Sequence, residues 1–287
     1  MYIICLLFTE VIDMEVITSE QNPLVKEIKS LNQKKYRQSK KQFFIEGFRF
    51  VEEAVKEGVR IDKIVVSEEV AESEAYRKLT DLISKSGHFT GKNSFKVYTV
   101  AHRLFKQMSD TENPQGVLAV INAEEYCLED YLNIDRSFFI ILDSIQDPGN
   151  LGTIIRTADA AGATGVIMSK GCVDLYNSKV LRSTMGSLFH IPVFHSENLL
   201  DTINRLKERK VRIFGAHLKG TANHYEYDMS GSVGIIIGNE ANGISDEVIK
   251  TADTLVKIPM PGRAESLNAS VAAAILIYEV VRQRLSM

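Results

Sequence analysis

The sequence is poor in the residues that carry metal or disulfide chemistry. Its three cysteines (Cys5, Cys127, Cys172) and six histidines are scattered over 287 residues. None falls in C-x-x-C, H-E-x-x-H or another spacing that would gather ligands round one ion. That excludes a zinc site and a disulfide framework and implies a reducing, cytoplasmic setting. Neither G-x-G-x-x-G nor G-x-x-x-x-G-K-[ST] occurs, which sets aside the dinucleotide and P-loop readings. No apolar run is long enough to cross a bilayer. Residues 1–13 come nearest, but they lack a positive n-region and a small-residue cleavage site. They are expected to be an extension outside the fold, and because Met14 directly precedes a sensible domain start, translation is expected to begin there.

What is present fits a globular protein with 45% hydrophobic and 25% charged residues, long enough for two domains. The net charge of -3 argues mildly against a nucleic-acid partner, but it hides an asymmetry. Residues 14–122 carry 18 basic and 15 acidic groups, whereas residues 123–287 carry 16 and 20. Within the first part, Lys26, Lys29, Lys34, Lys35, Arg37, Lys40 and Lys41 face a single acid, Glu27, and are followed by Phe43, Phe44, Phe48 and Arg49. Such a run can bind phosphate by counterion release, and nearby aromatics could stack on unpaired bases; it could equally be a solvated helix face.

Apolar spacing in the first part predicts a helix after Asn22-Pro23, a basic linker and a strand at 43–45. A helix closed by Gly58, strands at 61–66, 96–100 and 116–121, and a helix around 75–84 follow. This small α/β unit, 14–122, is followed by an acidic linker at 123–135. The second domain, 136–287, opens on a continuous apolar strand at 138–142. The pattern recurs at 165–168, 191–194, 211–216, 233–237 and 254–258, with helices between, and predicts a mainly parallel sheet flanked by helices. In such sheets ligands bind beyond the carboxyl ends of the strands.

Three of those ends carry unusual loops. The first, after residue 142, reads Asp143-Ser144-Ile145-Gln146-Asp147-Pro148-Gly149-Asn150-Leu151-Gly152-Thr153-Ile154-Ile155-Arg156. Asn150 as N-cap of the following helix would make it an anion site. Arg156 could grip a phosphate there or pair with Asp159. The second loop is Gly238-Asn239-Glu240-Ala241-Asn242-Gly243, a carboxylate between two glycines. The third runs from Ile258-Pro259-Met260-Pro261-Gly262 through Ser266-Leu267-Asn268-Ala269-Ser270-Val271 into a terminal helix that is apolar almost all round. Read alone, it is a core helix with a serine cap.

Together, in this order, the loops resemble the three motifs of the SpoU (TrmH-type) family of RNA ribose 2′-O-methyltransferases. These are N-x-G-x-x-x-R at Asn150, Gly152 and Arg156, G-x-E-x-x-G at Gly238, Glu240 and Gly243, and the long motif from Ile258 to Val271. Weaker matches at Asn22-Pro23, Phe44-Ile45-Glu46-Gly47 and Pro114-Gln115-Gly116 make the first domain similar to the family's substrate-binding module. The resemblance implies a trefoil knot in the C-terminal third, S-adenosyl-L-methionine as cofactor, and a homodimer whose sites lie near the subunit interface. It implies cofactor contacts at Gly238, Ile258 and Leu267, and catalytic roles for Asn150, Arg156, Glu240, Ser266 and Asn268.

No histidine lies in the three loops. A guanidinium is a reluctant base. Arg156 is therefore expected to hold the phosphate beside the target ribose and stabilise the forming alkoxide, with Asn150 and Glu240 orienting it. Lys34, Lys35, Arg37, Lys41 and Arg49 are expected to supply much of the RNA affinity. Ribosomal RNA is favoured over transfer RNA, and the alternative is a non-catalytic RNA-binding or ribosome-assembly protein that keeps the fold. No membrane or metal partner is expected.

Overall fold

The computed structural model describes residues 15–87, 94–218 and 220–286. The expected extension at 1–13 lies outside them. The chain divides after Glu124 into two compact units.

In the first unit the elements run α1 (Pro23–Ser30), α2 (Lys34–Lys40), β1 (Gln42–Glu46), α3 (Phe48–Lys56), β2 (Ile61–Ser67), α4 (Glu74–Ser86), β3 (Lys96–Val100), α5 (His102–Met108) and β4 (Val117–Asn122). Asn22 starts α1 by accepting from the Leu24 N–H at 2.9 Å, with Pro23 at the position where its missing N–H costs nothing. The sheet order is β1-β4-β2-β3, antiparallel except for β2/β3. Leu24, Val25, Ile28 and Leu31 of the α1 segment pack with Leu104, Phe105 and Met108 of α5 on one side of it.

The basic stretch expected as a linker is helix α2. Its burial corrects two expectations. Arg37 is 9% exposed, and its guanidinium donates to the carbonyls of Leu31 (2.7 Å) and Asn32 (2.9 Å), so it closes the end of α1 and does not face solvent. Phe43 and Phe44 are buried in strand β1 and cannot stack on a base. Lys40 pairs with the lone acid Glu27 at 3.1 Å, while Lys34, Lys35, Lys41 and Arg49 are exposed.

The second unit contains β5 (Phe138–Asp143), α6 (Pro148–Ala160), β6 (Gly165–Ser169), α7 (Ser178–Thr184), β7 (Val193–Ser196), α8 (Leu199–Glu208), β8 (Arg212–Ala216), β9 (Ala222–Asn223), β10 (Val233–Gly238), α9 (Asp246–Ile249), β11 (Thr254–Lys257) and α10 (Ala269–Leu285). Seven strands form one sheet in the order β7-β6-β5-β10-β8-β11-β9, every neighbouring pair parallel. All six residues of β5 are buried, as expected for a strand covered on both faces. One face packs under α8 and α9 through Phe139, Ile141, Ile167, Ile213 and Ile236.

Part of the expected linker belongs to this core. Leu128 and Leu132 are buried in it, and the Tyr131 ring meets Phe194 edge-on at 5.2 Å. Polar letters at 123–135 hid two leucines that anchor a single 3-10 turn, Leu128–Tyr131.

The terminal helix α10 buries Ala273, Leu276, Ile277 and Val280. Its other apolar stripe is open, with Val271 47% and Tyr278 50% exposed. Within one chain this helix is therefore covered on one side only.

Candidate functional site

The chain begins its large sheet in the middle, at β5, builds outward through β6 and β7, and later inserts β10 directly beside β5. Strand order reverses at that pair, so the loops leaving β5 and β10 emerge side by side, the geometry at which open α/β sheets bind ligands. The third loop leaves β11, two strands away, and returns to the same place because α10 starts beside α6.

A relay of side-chain amides joins the three loops. Glu240 accepts from the Gln146 N–H (3.1 Å), the Asp147 N–H (3.0 Å) and Asn150 Nδ2 (3.0 Å). Asn150, buried, accepts in turn from Asn268 Nδ2 at 2.9 Å. Asn268 then caps α10: its Oδ1 accepts from the Ser270 N–H (2.9 Å), Ser270 Oγ (2.7 Å) and the Val271 N–H (3.3 Å). Partial burial alone would push the Glu240 carboxyl up. The Asn150 amide and the two loop N–H groups outweigh it and hold the carboxyl below the usual range.

Several local expectations change here. Helix α6 is capped by Asp147, whose Oδ1 accepts from the Asn150 N–H at 2.7 Å, with Pro148 at its first position. Asn150 lies inside the helix, and the aspartate-proline pair was the better start signal. The terminal helix is capped by Asn268 and not by a serine. The Gln146 and Asp147 N–H groups of the first loop hold the protein's own Glu240 carboxylate. Glu240 and Asn150 bond to each other and not to Arg156, so they do not orient the guanidinium.

Arg156 is exposed and makes no hydrogen bond or ion pair among the described residues. Its suggested partner Asp159 pairs with His190 Nδ1 at 3.0 Å. Gly152 lies between Asn150 and Arg156 for a packing reason. A Cβ there would sit 2.3 Å from Ser183 Cβ and 2.9 Å from the Val180 carbonyl oxygen of α7.

In the second loop a Cβ on Gly238 would lie 2.1 Å from the backbone of Gly243 and Ile244, and Gly243 has φ +69°. Ile258 is the first residue past β11 and is half-buried, and Leu267 is 36% exposed. From 259 to 267 the backbone makes no hydrogen bond among the described residues, and Ser266 is exposed without a partner there. Unused backbone donors and acceptors beside accessible apolar side chains are a donor set that suits a nucleoside cofactor.

The fold and the loops define an α/β protein whose ligand site lies at a strand-order reversal. Comparison with known proteins gives the family. Residues 137–278 match the SpoU rRNA Methylase family and residues 22–119 the MRM3-like substrate binding domain. The 23S rRNA (guanosine(2553)-2'-O)-methyltransferase RlmP of Bacillus subtilis is 37% identical over 93% of this chain and 99% of its own. An AdoMet-bound rRNA methyltransferase from Sinorhizobium meliloti superposes with a TM-score of 0.80 at 33% identity, covering 93% of this chain and 97% of that one. The AdoMet complex of the SpoU methyltransferase AviRb from Streptomyces viridochromogenes gives 0.80 at 28% identity, covering 93% and 100%. The chain belongs to the SpoU rRNA methylase family.

Proposed function

We propose that the chain transfers a methyl group from S-adenosylmethionine to a ribose 2′-hydroxyl of large-subunit ribosomal RNA. The observation that carries this reading is the convergence of all three family loops through Glu240, Asn150 and Asn268, with Arg156 left unpaired on the same helix.

S-adenosylmethionine supplies, when bound, an electrophilic methyl on a positively charged sulfur, so the reaction calls for no metal. Gly238, Ile258 and Leu267 would hold it, through the second loop and the free backbone of the third. Asn150, Glu240 and Asn268 fix the loops relative to one another, which keeps acceptor and donor sites aligned. Ser266 offers an exposed hydroxyl to the ribose. Arg156 grips the phosphate beside the target ribose and stabilises the oxyanion that forms on the 2′ oxygen, a use suited to a planar group with several fixed donors.

Lys34, Lys35, Lys41 and Arg49 capture RNA through its phosphates. The insertion of the late strand β10 between β5 and β8, with α10 following β11, supports a trefoil knot in the second unit. The open stripe of Val271 and Tyr278 supports a homodimer with α10 at its interface. No helix among the described residues is long and apolar enough to cross a membrane. A bacterial relative named for action on ribosomal RNA supports a cytoplasmic setting.

The test is methylation of ribosomal RNA with labelled S-adenosylmethionine, followed by mapping of 2′-O-methyl groups lost from cells lacking the gene. Arg156→Lys keeps the charge but loses the fork, and turnover should fall about tenfold or more. Near-normal turnover of that variant would remove the phosphate-fork role. Cofactor binding without any labelled ribose would favour a non-catalytic RNA-binding protein.

A further inference from the structure

The seam between the first and second loops is pinned at one end by Asp143 and Ser245, which lie outside the three motifs, and at the other by Asn239 within the second. Asp143, the last residue of β5, is 6% exposed and has no cationic partner among the described residues. Its Oδ2 accepts from the Ser245 N–H and from Ser245 Oγ, each at 2.8 Å, and its Oδ1 from Ser144 Oγ at 3.3 Å. At the other end, Asn239 Nδ2 donates to the Ser144 carbonyl at 2.8 Å. The Asn239 and Gly243 backbones exchange two bonds of 2.9 Å. Ser144 itself has φ +60°, a left-handed conformation that costs a serine energy, and it is held there by Ser169 Oγ accepting its N–H at 2.9 Å.

Glu240 stands between these clamps, one residue after Asn239 and five before Ser245. The loop doubles back so tightly that Gly238 touches Gly243 and Ile244, which returns Ser245 to the level of Asp143, the strand partner of Gly238. A buried carboxylate is unfavourable where an apolar side chain would pack as well, so packing does not account for Asp143. Its two short bonds to one serine do.

We propose that Asp143 is a positioning residue: by fixing Ser245 it holds the 238–245 loop in the register that brings the Glu240 carboxylate onto Gln146, Asp147 and Asn150. Its effect on turnover rests on the methyltransferase reading above. Its effect on the seam does not.

The experiment compares Asp143→Ala with Asp143→Asn in the full chain. Alanine leaves both Ser245 donors without an acceptor. Asparagine keeps one oxygen for them and turns its amide toward Ser144 Oγ, which can accept. In D143A, amide hydrogen exchange at Gln146 and Asp147 should rise about tenfold and kcat should fall about tenfold, with KM for RNA unchanged. D143N should restore both. A role in stability alone would lower the melting temperature while leaving kcat intact below it. A folded D143A with unchanged exchange, or a D143N as damaged as D143A, overturns the proposal. If D143A does not fold, Ser245→Ala removes one of the two donors and should raise the same exchange rates; unchanged rates there also overturn it. Exchange needs no turnover. A wild-type protein that fails to methylate RNA but shows the expected exchange pattern therefore refutes the functional reading and leaves the clamp standing.

Discussion

Replacing Gly152 with alanine would insert one methyl group between two helices at their closest approach. The new Cβ would lie 2.3 Å from Ser183 Cβ, 2.9 Å from the Val180 carbonyl oxygen and 3.0 Å from the Ser183 carbonyl carbon. Carbon atoms pack at about 3.5–4.0 Å, so α6 and α7 must separate by about 1.2–1.7 Å, roughly one helical rise. Two of the three neighbours are backbone atoms, which no rotamer change can move. Overpacking of this kind costs about 1–3 kcal/mol. For a unit of this size, about 2 kcal/mol lowers the melting temperature by roughly 4–8 °C. The helix that moves carries Asn150 on one side of the insertion and Arg156 on the other, and a misplacement of about 1 Å at a reacting group can cost about a hundredfold in rate. Thermal unfolding and turnover of Gly152→Ala measure both effects. Ser183→Gly in the same chain removes the nearest atom and should recover part of the loss, which a double-mutant cycle reads directly. Wild-type melting and turnover in Gly152→Ala would refute the argument that this motif glycine is a packing requirement. If cofactor affinity alone fell, the glycine would instead serve close approach of the ligand.

Asn268→Ala removes both a helix cap and the bond to Asn150, so it should cost about 1 kcal/mol of stability as well as turnover. Asn268→Asp keeps the cap but has no donor for Asn150. Its melting temperature should stay near wild type while kcat falls, and a kcat equal to that of the wild type would disprove the relay. The Glu240 carboxyl is held below its ordinary value in the folded chain. The seam it closes is therefore intact above the unfolded value of about 4.3 and is lost as pH falls through the lower folded value. Cofactor affinity measured against pH should stay flat down to that range, and the Glu240→Gln protein should lack the acid limb. Neutralising Lys34, Lys35, Lys41 and Arg49 should flatten the salt dependence of RNA binding by about 0.7–0.9 in log–log slope for each phosphate left without its cation. Arg37→Ala should lower stability by about 1–3 kcal/mol by leaving the Leu31 and Asn32 carbonyls unpaired, with little change in that slope.

The strands of both units were readable from their apolar runs except for the two-residue edge strand β9, which is neither apolar nor buried. Helix ends were less so. Asn150, Ser266 and Asn268 are all plausible caps by residue type; the aspartate-proline pair marks the start of α6, but only the geometry singles out Asn268 for the terminal helix. The basic run at 34–41 illustrates the deeper limit. Charge predicts exposure on average, yet Arg37 is buried because two carbonyls at the end of α1 need a donor within reach, and that need depends on where the chain turns. The acidic stretch at 123–135 failed in the opposite sense. Its polar majority hid Leu128 and Leu132, and two buried leucines suffice to fix a turn against a core. The identities of the site residues were legible from their spacing, whereas their partners were not. Nothing in the sequence says that Glu240 binds the first loop's amides, since residues 240 and 146 meet only because β10 inserts beside β5.

That pairing has an electrostatic consequence for Arg156. Two carboxylates stand near enough in sequence or motif to have neutralised it, and the fold gives each a different partner: Asp159 takes His190, and Glu240 takes two backbone N–H groups and an asparagine amide. Had either bound the guanidinium, an incoming phosphate would have to displace a charged hydrogen bond before forming its own, and little net affinity would remain. A carboxylate satisfied by neutral donors keeps its negative charge local and leaves the arginine available. The amide relay thus does more than hold three loops together. It closes the site around an anionic side chain while leaving the arginine of the first loop's helix exposed and unpaired among the described residues, as the proposed phosphate grip requires.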